Sequence, residues 1–228
     1  MAAIERRPER PGAVARPSRF LGELTSRGIV DEQLRRSCTA VVLPAGSRRS
    51  GSELPAARIF VVEDGVVLLR ARSGPGMRSM IVARCAHGAI VPPLAQGEAL
   101  QSLTDAWVTA VPYDAWHRLV AIPDVAEWLF CGLEETLFRQ RESSRALAGV
   151  RHVDRVRAQL LELAGEHGRV CREGVRIDLP LTHELIADMV GCARETVTRA
   201  LEELQREEFV SRHGRYYQLL VAPELLSA

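Results

Sequence analysis

Gly191 lies within IADMVGCARETVTRALEEL (residues 186–204), between two segments that both have the apolar spacing of amphipathic helices. Glycine adopts the left-handed conformation that ends a helix at no steric cost, so it predicts a sharp turn between two short helices. Thr182 is the predicted N-cap of the first helix. The second helix is predicted to begin near Ala193 and to end near Glu208. Two helices joined in this way form a helix-turn-helix.

The second helix has one apolar and one polar face. The apolar residues are expected to face inward: Val197, Ala200, Leu201 and Leu204. The outward face of the first two turns carries Arg194, Glu195, Thr198 and Arg199. An arginine can donate two hydrogen bonds to guanine, and a carboxylate can accept one from cytosine. The pattern predicts a helix that contacts DNA bases, and the residues leave two alternatives open: a salt-bridged surface helix, and a helical hairpin with no DNA role.

The N-terminal half has the sequence pattern of a β-rich domain. Residues 1–19 are rich in Pro, Arg and Ala and predict a disordered tail. Residues 20–122 begin with one or two short helices over 21–37 and continue as short apolar runs separated by Gly and Pro, which is typical of a small barrel or roll. Within VVEDGVVLL, Asp64 and Gly65 predict a hairpin turn. We therefore expect an α+β protein that begins with a β-roll.

A long dimerisation helix is predicted over residues 123–148. Positions spaced alternately by four and three form a heptad seam along it: Ala126, Phe130, Leu133, Leu137, Gln140, Ser144 and Leu147. We expect the seam to pair with a second copy of the chain, and packing on the roll is the alternative. Residues 149–228 are predicted to form a helix ending at Gly168, a short hairpin, the helix-turn-helix, and a final hairpin around His213 and Gly214.

Composition restricts where and how the chain can act. The formal charge is +1, and residues 150–228 carry eleven arginines against thirteen acidic residues. DNA contacts must therefore come from the placement of arginines on one face. No apolar run approaches the roughly 20 residues that cross a bilayer, and no secretory signal is present, so we expect a cytoplasmic protein with no membrane partner. Five scattered cysteines predict free, buried thiols.

LTHELIADMVGCARETVTRALEELQREEFVSRHGRYYQLL (residues 181–220) resembles the winged helix-turn-helix of the CRP/FNR superfamily, the relatives of the catabolite activator protein. The match is the run VGC-x-RETV-xx-R, then a leucine-bearing helix and a wing with a His-Gly turn. The resemblance implies a homodimeric DNA-binding transcription regulator. It also implies the domain order: a β-roll like those that bind cyclic nucleotides, a dimerisation helix, then the winged domain. RNA polymerase is a further candidate partner.

The resemblance also implies roles for individual residues. Arg194, Glu195 and Arg199 match the family residues that contact base edges, which implies a TGTGA-like half-site repeated as a palindrome. The candidate phosphate and wing contacts are Thr182, His183, Thr196, Thr198, Arg212, His213 and Arg215. Two positions depart from close relatives: His183 stands in place of an arginine, and Ala193 in place of a serine.

The cofactor is not predictable from the sequence. Family members that bind cyclic AMP hold its ribose with a Gly-Glu pair and its phosphate with an Arg-Ser pair. Gly97 and Glu98 match the first pair, but no arginine or lysine lies between Arg84 and Arg118. A buried phosphate without a cation is costly, so cyclic AMP binding in the usual manner is not expected unless Arg84 or a distant arginine supplies the charge.

Cysteine and histidine positions bear on two other kinds of effector. The first 37 residues contain no cysteine, which argues against an iron–sulfur cluster. Cys85 and His87 leave a haem-responsive protein as an alternative, and an unidentified small-molecule effector, or none, is equally compatible with the sequence.

Two other classes of function were considered. A roll enzyme of the cupin type would need two or three histidines and a carboxylate converging inside the barrel. The roll offers only His87 and His117, so no enzyme and no metal site are predicted. A β-roll protein that dimerises without binding DNA is the second alternative, but it gives no reason for two arginines and a glutamate on one exposed face.

Overall fold

A computed structural model of the chain describes residues 19–72, 79–146, 151–214 and 216–222. These residues form seven α-helices and twelve strands, with a 3₁₀ turn at Gly51–Glu53. The helices are α1 (Arg19–Ser26), α2 (Glu32–Ser37), α3 (Tyr113–Val120), α4 (Pro123–Ala146), α5 (His152–His167), α6 (His183–Val190) and α7 (Arg194–Arg206). The strands are β1 (Thr39–Leu43), β2 (Arg48–Ser50), β3 (Ile59–Asp64), β4 (Val67–Arg72), β5 (Ser79–Cys85), β6 (Ile90–Val91), β7 (Ala99–Ser102), β8 (Ala106–Val111), β9 (Gly168–Cys171), β10 (Gly174–Ile177), β11 (Val210–His213) and β12 (Tyr216–Leu219).

The first eight strands form the predicted β-roll. They make two four-stranded antiparallel sheets, with strand orders β1-β8-β3-β6 and β2-β7-β4-β5. Alternate residues of both sheets point into a shared aliphatic core, which includes Phe60, Val62, Leu69, Leu100 and Val108. The predicted α+β fold class is therefore confirmed.

The predicted hairpin at Asp64 and Gly65 is wrong. The turn forms, with Gly65 at φ +79° and the Asp64 carboxylate accepting from the Gly65 N–H at 2.9 Å. However, β3 pairs with β6 and β8, whereas β4 pairs with β5 and β7. The chain thus crosses from one sheet to the other at this turn, and local turn chemistry cannot distinguish that crossing from a hairpin.

Four helices lie beside the roll, and α1 with α2 confirms the predicted helical start over 21–37. The long helix α4 approaches the roll closely because Gly132 has no side chain: a Cβ there would lie 2.7 Å from the Ile90 side chain. Thr136 donates its hydroxyl hydrogen to the Ile90 carbonyl at 2.8 Å. Val125 and Leu129 are buried in the same contact. One side of α4 therefore packs against the roll.

The predicted domain limits stay predictions. Residues 1–18 of the predicted tail and residues 147–150, which include the predicted boundary at 148, lie outside the described residues. Arg19, the last residue assigned to the tail, begins α1.

The C-terminal part contains α5–α7 and a four-stranded sheet of order β11-β12-β10-β9. Both predicted hairpins are confirmed, since β9 pairs with β10 and β11 pairs with β12. Helix α5 ends at His167 and Gly168 follows as its C-cap, as predicted. A Cβ at Gly168 would lie 2.0 Å from the Ala164 carbonyl oxygen, so the chain needs a glycine there.

The C-terminal part packs against the outer face of the sheet β2-β7-β4-β5. Four apolar side chains of the roll join its core: Val66, Leu68, Ile81 and Leu103. Two buried arginines add ion pairs across the junction. Arg70 on β4 pairs with Asp188 on α6, and Arg84 on β5 pairs with Glu162 and Glu166 on α5 at 2.8 and 2.5 Å. The roll therefore holds the helix-turn-helix through both apolar and charged contacts.

Candidate nucleic-acid interface

The turn between α6 and α7 has the geometry that its sequence predicted. The Thr182 hydroxyl accepts a hydrogen bond from the Leu185 N–H at 3.1 Å and caps α6. Gly191 ends the helix with φ 64° and ψ 39°, in the left-handed region, and its N–H donates to the Ala187 carbonyl. The backbone N–H of Cys192 donates to the same carbonyl at 3.1 Å. The turn between α6 and α7 therefore takes only three residues.

Helix α7 buries its apolar side and exposes its charged side. The residues predicted to face inward are all buried: Val197, Ala200, Leu201 and Leu204. Arg194, Glu195 and Arg199 are exposed on the first two turns. Ala193 occupies the N-cap and provides no side-chain hydrogen bond. This end of α7 therefore presents two guanidinium groups and one carboxylate outward.

His183 connects three elements of this surface. Its Nδ1 lies 2.8 Å from the Thr198 hydroxyl of α7, and its Nε2 lies 3.3 Å from Nη1 of Arg212 on β11. The Thr198 hydroxyl also donates to the Arg194 carbonyl at 3.1 Å. Partial burial, then the positive charges of Arg212 and Arg194, lower the pKa of His183 from 6.5, against an opposing effect of Glu202. The half-buried imidazole is therefore neutral near pH 7.

The remaining predicted contact residues differ in exposure. Thr196 and Thr198 are half-buried, whereas Thr182, Arg212 and His213 are exposed. Arg212 donates from Nε to the Gly214 carbonyl at 3.0 Å, and its guanidinium lies 5.7 Å from the centre of the Tyr217 ring. Arg215 lies outside the described residues. The wing arginine is thus held by contacts on two sides.

An open cleft beside α7 contains residues that sequence reasoning missed. Arg199 lines it together with Arg151 and His152, which begin α5 far away in sequence. Arg151 donates to Glu203 of α7 at 3.1 Å. No motif marks Arg151 or His152, and only the packing of α5 on α7 brings them beside a predicted base contact.

The predicted seam on α4 is only partly exposed. Phe130 and Leu137 are 62% and 52% exposed, and the neighbouring Phe138 is 54% exposed. Ala126, Leu133 and Gln140 are half-buried, and Leu133 packs against the roll core. The side chain of Ser144 and the whole of Leu147 lie outside the described residues. The exposed apolar residues on one side of α4 are compatible with a partner helix, while Leu129 on another side packs against the roll. Trp128 instead stacks on Phe20, with ring centres 4.3 Å apart.

Arg84 is engaged outside the roll. Its guanidinium pairs with two carboxylates of α5, so in this conformation it does not reach the roll interior. Gly97 and Glu98, which match the Gly-Glu pair that holds ribose in the family, have local structural roles. Gly97 has φ +86°, and the Glu98 carboxylate accepts from the Ala95 N–H at 2.8 Å.

The two candidate haem ligands, Cys85 and His87, lie in different environments. Cys85 is buried among the aliphatic side chains of the roll, and burial raises the pKa of its thiol to about 12. His87 is exposed and bonds through Nδ1 to the Glu63 carbonyl at 2.7 Å. All five cysteines are free, as predicted, but only Cys85 is buried, which corrects the expectation of buried thiols. Within the described part of the chain, no cluster of three or more His, Cys, Asp or Glu side chains is arranged to hold a metal.

Comparisons with known proteins identify the same architecture. A family model for the Crp-like helix-turn-helix domain matches residues 154–228. The global nitrogen regulator of Nostoc is 32% identical over 93 residues, which are 41% of this chain and 42% of that protein. The CRP-like cAMP-activated global transcriptional regulator of Mycobacterium tuberculosis is 24% identical over 188 residues, which are 80% of this chain and 84% of that protein.

A solved structure extends the match to both parts of the chain. A transcriptional regulator of the CRP/FNR family from Thermus thermophilus superposes with a TM-score of 0.64 at 23% identity, over 83% of this chain and 96% of that one. A β-roll followed by a long helix and a winged helix-turn-helix defines a class of DNA-binding transcription regulators. Residues 154–228 match the Crp-like helix-turn-helix domain, and the chain as a whole is similar to CRP/FNR regulators, which bind DNA and function as dimers. Its relatives are regulators and not enzymes. No helix in the described ranges is both long and apolar enough to cross a membrane.

Proposed function

We propose that the chain is a cytoplasmic, homodimeric transcription regulator that recognises a TGTGA-like palindrome through Arg194, Glu195 and Arg199. The exposure of these three side chains on the first turns of α7, opposite a fully buried apolar face, is the observation that carries the proposal. The N-terminal turns of such a helix are the part that enters the major groove. The surrounding polar residues Thr182, Thr196, Thr198, His213 and Arg215 are proposed to contact phosphate or to lie on the wing, which sets register without selecting sequence.

Dimerisation through α4 would set the spacing of the two α7 helices. Each half-site is read by one copy, and binding requires the two helices to lie about 34 Å apart, one turn of the duplex. A small-molecule effector would act by changing the tilt of α4 and so the population of that arrangement. The exposed side chains of Phe130 and Leu137 support this pairing. RNA polymerase is the proposed protein partner on the DNA.

Replacing Arg199 by alanine is expected to weaken binding to the palindrome by about 1–3 kcal/mol, or roughly 5- to 150-fold, because a two-bond contact with guanine is lost. Fluorescence anisotropy with a labelled duplex measures the affinity. A panel of duplexes with single substitutions should show relaxed preference at one base pair of each half-site.

Arg206→Ala is the matched control, since Arg206 is an exposed arginine on the last turn of the same helix. Its affinity for the palindrome is expected to stay within about twofold of the wild type, as for ordinary surface substitutions. An equal loss for Arg199→Ala on random DNA would argue that Arg199 contacts phosphate and not bases.

We further propose that the roll does not bind cyclic AMP in the usual manner. The region from Arg84 to Arg118 contains no other arginine or lysine, and Arg84 itself is engaged by Glu162 and Glu166. The similarity to the cAMP-activated regulator of Mycobacterium tuberculosis favours a second candidate function, a cyclic-nucleotide-responsive regulator.

Isothermal titration calorimetry distinguishes these two candidates. Cyclic AMP added to the purified chain is expected to give no saturable heat, because a buried phosphate would lack a cationic partner. The palindrome affinity should also be the same with and without the nucleotide. Saturable binding that Arg84→Gln abolishes would instead mean that Arg84 leaves its carboxylate partners and supplies the charge.

A further inference from the structure

We propose that His183 acts as a neutral bridge that holds the wing arginine Arg212 against the recognition helix, and not as a cationic phosphate contact. This inference rests on the proposed DNA-binding function and concerns one residue within it. His183 touches neither a base nor a reacting group in this role. It is a positioning residue, and it sets where the Arg212 guanidinium lies relative to α7.

The hydrogen-bond directions around the imidazole define its protonation. The Thr198 hydroxyl has one proton and donates it to the Arg194 carbonyl at 3.1 Å. The same hydroxyl can then accept from His183, the direction that places a proton on Nδ1. Arg212 can only donate, so Nε2 must carry a lone pair. The neutral imidazole protonated at Nδ1 is the form that satisfies all three contacts.

The charges around His183 oppose its protonation. Arg212 on β11 and Arg194 on α7 face it with positive charge, and Glu202 on α7 is the opposing negative group. A proton on Nε2 would face the Arg212 N–H at a distance of 3.3 Å, which converts a hydrogen bond into a contact between two cations. At acidic pH the hydrogen bond between His183 and Arg212 is therefore lost, while the hydrogen bond between His183 and Thr198 persists.

The bridge joins the three elements that approach DNA in a winged helix-turn-helix. His183 begins α6, Thr198 lies on α7, and Arg212 lies on the first strand of the wing. The Gly214 carbonyl and the Tyr217 ring hold Arg212 from the other side. A guanidinium that is already positioned loses less side-chain entropy when it binds a phosphate, so the bridge is expected to tighten DNA binding.

The two roles of His183 predict opposite effects of pH on DNA affinity. A cationic phosphate contact gains affinity as the histidine is protonated, whereas a neutral bridge loses it. The folded pKa of His183 is lowered from 6.5, so the neutral form persists at neutral pH and is lost only as the pH falls further. Affinity for the palindrome should therefore stay constant near neutral pH and fall on acidification.

The experiment compares wild type, His183→Gln and His183→Ala by anisotropy between about pH 8 and pH 5, the range in which histidine titrates. Glutamine cannot be protonated, and its oxygen can accept from Arg212. The ratio of wild-type to His183→Gln affinity is expected to fall by about 3- to 10-fold on acidification, the effect of losing one ordinary hydrogen bond. His183→Ala should be weaker than His183→Gln throughout. His117→Gln, at an exposed histidine on α3, is the control and should follow the wild type.

A rise of that ratio on acidification, or a constant ratio, would overturn the proposal. Nitrogen NMR of the histidine rings in the free protein provides a second measurement that needs no DNA. We expect His183 near pH 7 to be neutral with its proton on Nδ1, and Arg212→Met to shift its Nε2 signal. A proton on Nε2 or a charged ring would contradict the bridge. If no DNA binds, the proposed function fails while the NMR result still tests the bridge.

Discussion

Replacing Asp188 by alanine is expected to lower the free energy of unfolding by about 3–5 kcal/mol, because the buried Arg70 guanidinium would lose its charged partner. Both residues are 8% exposed. The other contacts of Arg70 are neutral and belong to the roll: it donates to Gln101 at 2.5 Å and to Ser79 at 3.2 Å. Asp188 is the carboxylate with which the C-terminal part neutralises this arginine.

Urea denaturation measures the effect with two signals. All three tryptophans lie in the N-terminal 128 residues, so their fluorescence follows the roll, while circular dichroism follows the whole chain. The variant Arg70→Met with Asp188→Leu removes both charges and is expected to recover most of the stability. Arg36→Ala removes an exposed ion pair with Glu32 and should leave the midpoint unchanged. An unaltered midpoint for Asp188→Ala would mean that water or another anionic group takes the place of Asp188 beside Arg70.

Replacing Leu137 by glutamate is expected to convert the proposed dimer to monomers at micromolar concentration. Burying a leucine or phenylalanine contributes about 1.5–3 kcal/mol, and each contact occurs twice in a twofold symmetric dimer. Leu137, Phe130 and Phe138 are all more than half exposed in the single chain, so a partner helix would recover that apolar burial. A carboxylate at the centre of this patch would be desolvated on pairing. The dissociation constant of the dimer is expected to rise on the order of 100-fold.

Sedimentation velocity over a concentration series reports the dimer, and anisotropy reports palindrome binding. Leu137→Met keeps the apolar volume and is expected to retain both. The glutamate variant should retain its secondary structure by circular dichroism. If the glutamate variant remains dimeric, the dimer interface lies elsewhere, and α4 packs only against the roll of its own chain.

Local chemistry made the helix-turn-helix predictable from the sequence. Gly191 has the left-handed conformation that its position required, and Thr182 caps α6 through a bond three residues along the chain. The buried and exposed faces of α7 follow from helical spacing alone. The structure has α7 ending at Arg206, two residues before the predicted end at Glu208. Each of these features is specified within a few helical turns of sequence, so local reasoning was enough to predict it.

Local sequence patterns could not predict which strands and which charged residues pair when they lie far apart in the chain. Gly65 has a positive φ, as a turn glycine often does, yet the strands on either side of it enter different sheets. Arg84 was considered as a phosphate ligand, but α5 brings two carboxylates to it from about 80 residues away. His183 was assigned to phosphate, and only the return of the wing shows that it faces Arg212.

The sequence by itself determined the identity of the DNA-binding element, the side of α7 that faces outward and the approximate order of the parts. Those properties depend on backbone conformation and helical periodicity, which neighbouring residues control. The tertiary structure alone decided which charges meet: Arg70 with Asp188, Arg84 with α5, and His183 with the wing. The reason is that burial and distance set the energy of a charge, and both arise only when segments far apart in the chain are packed together.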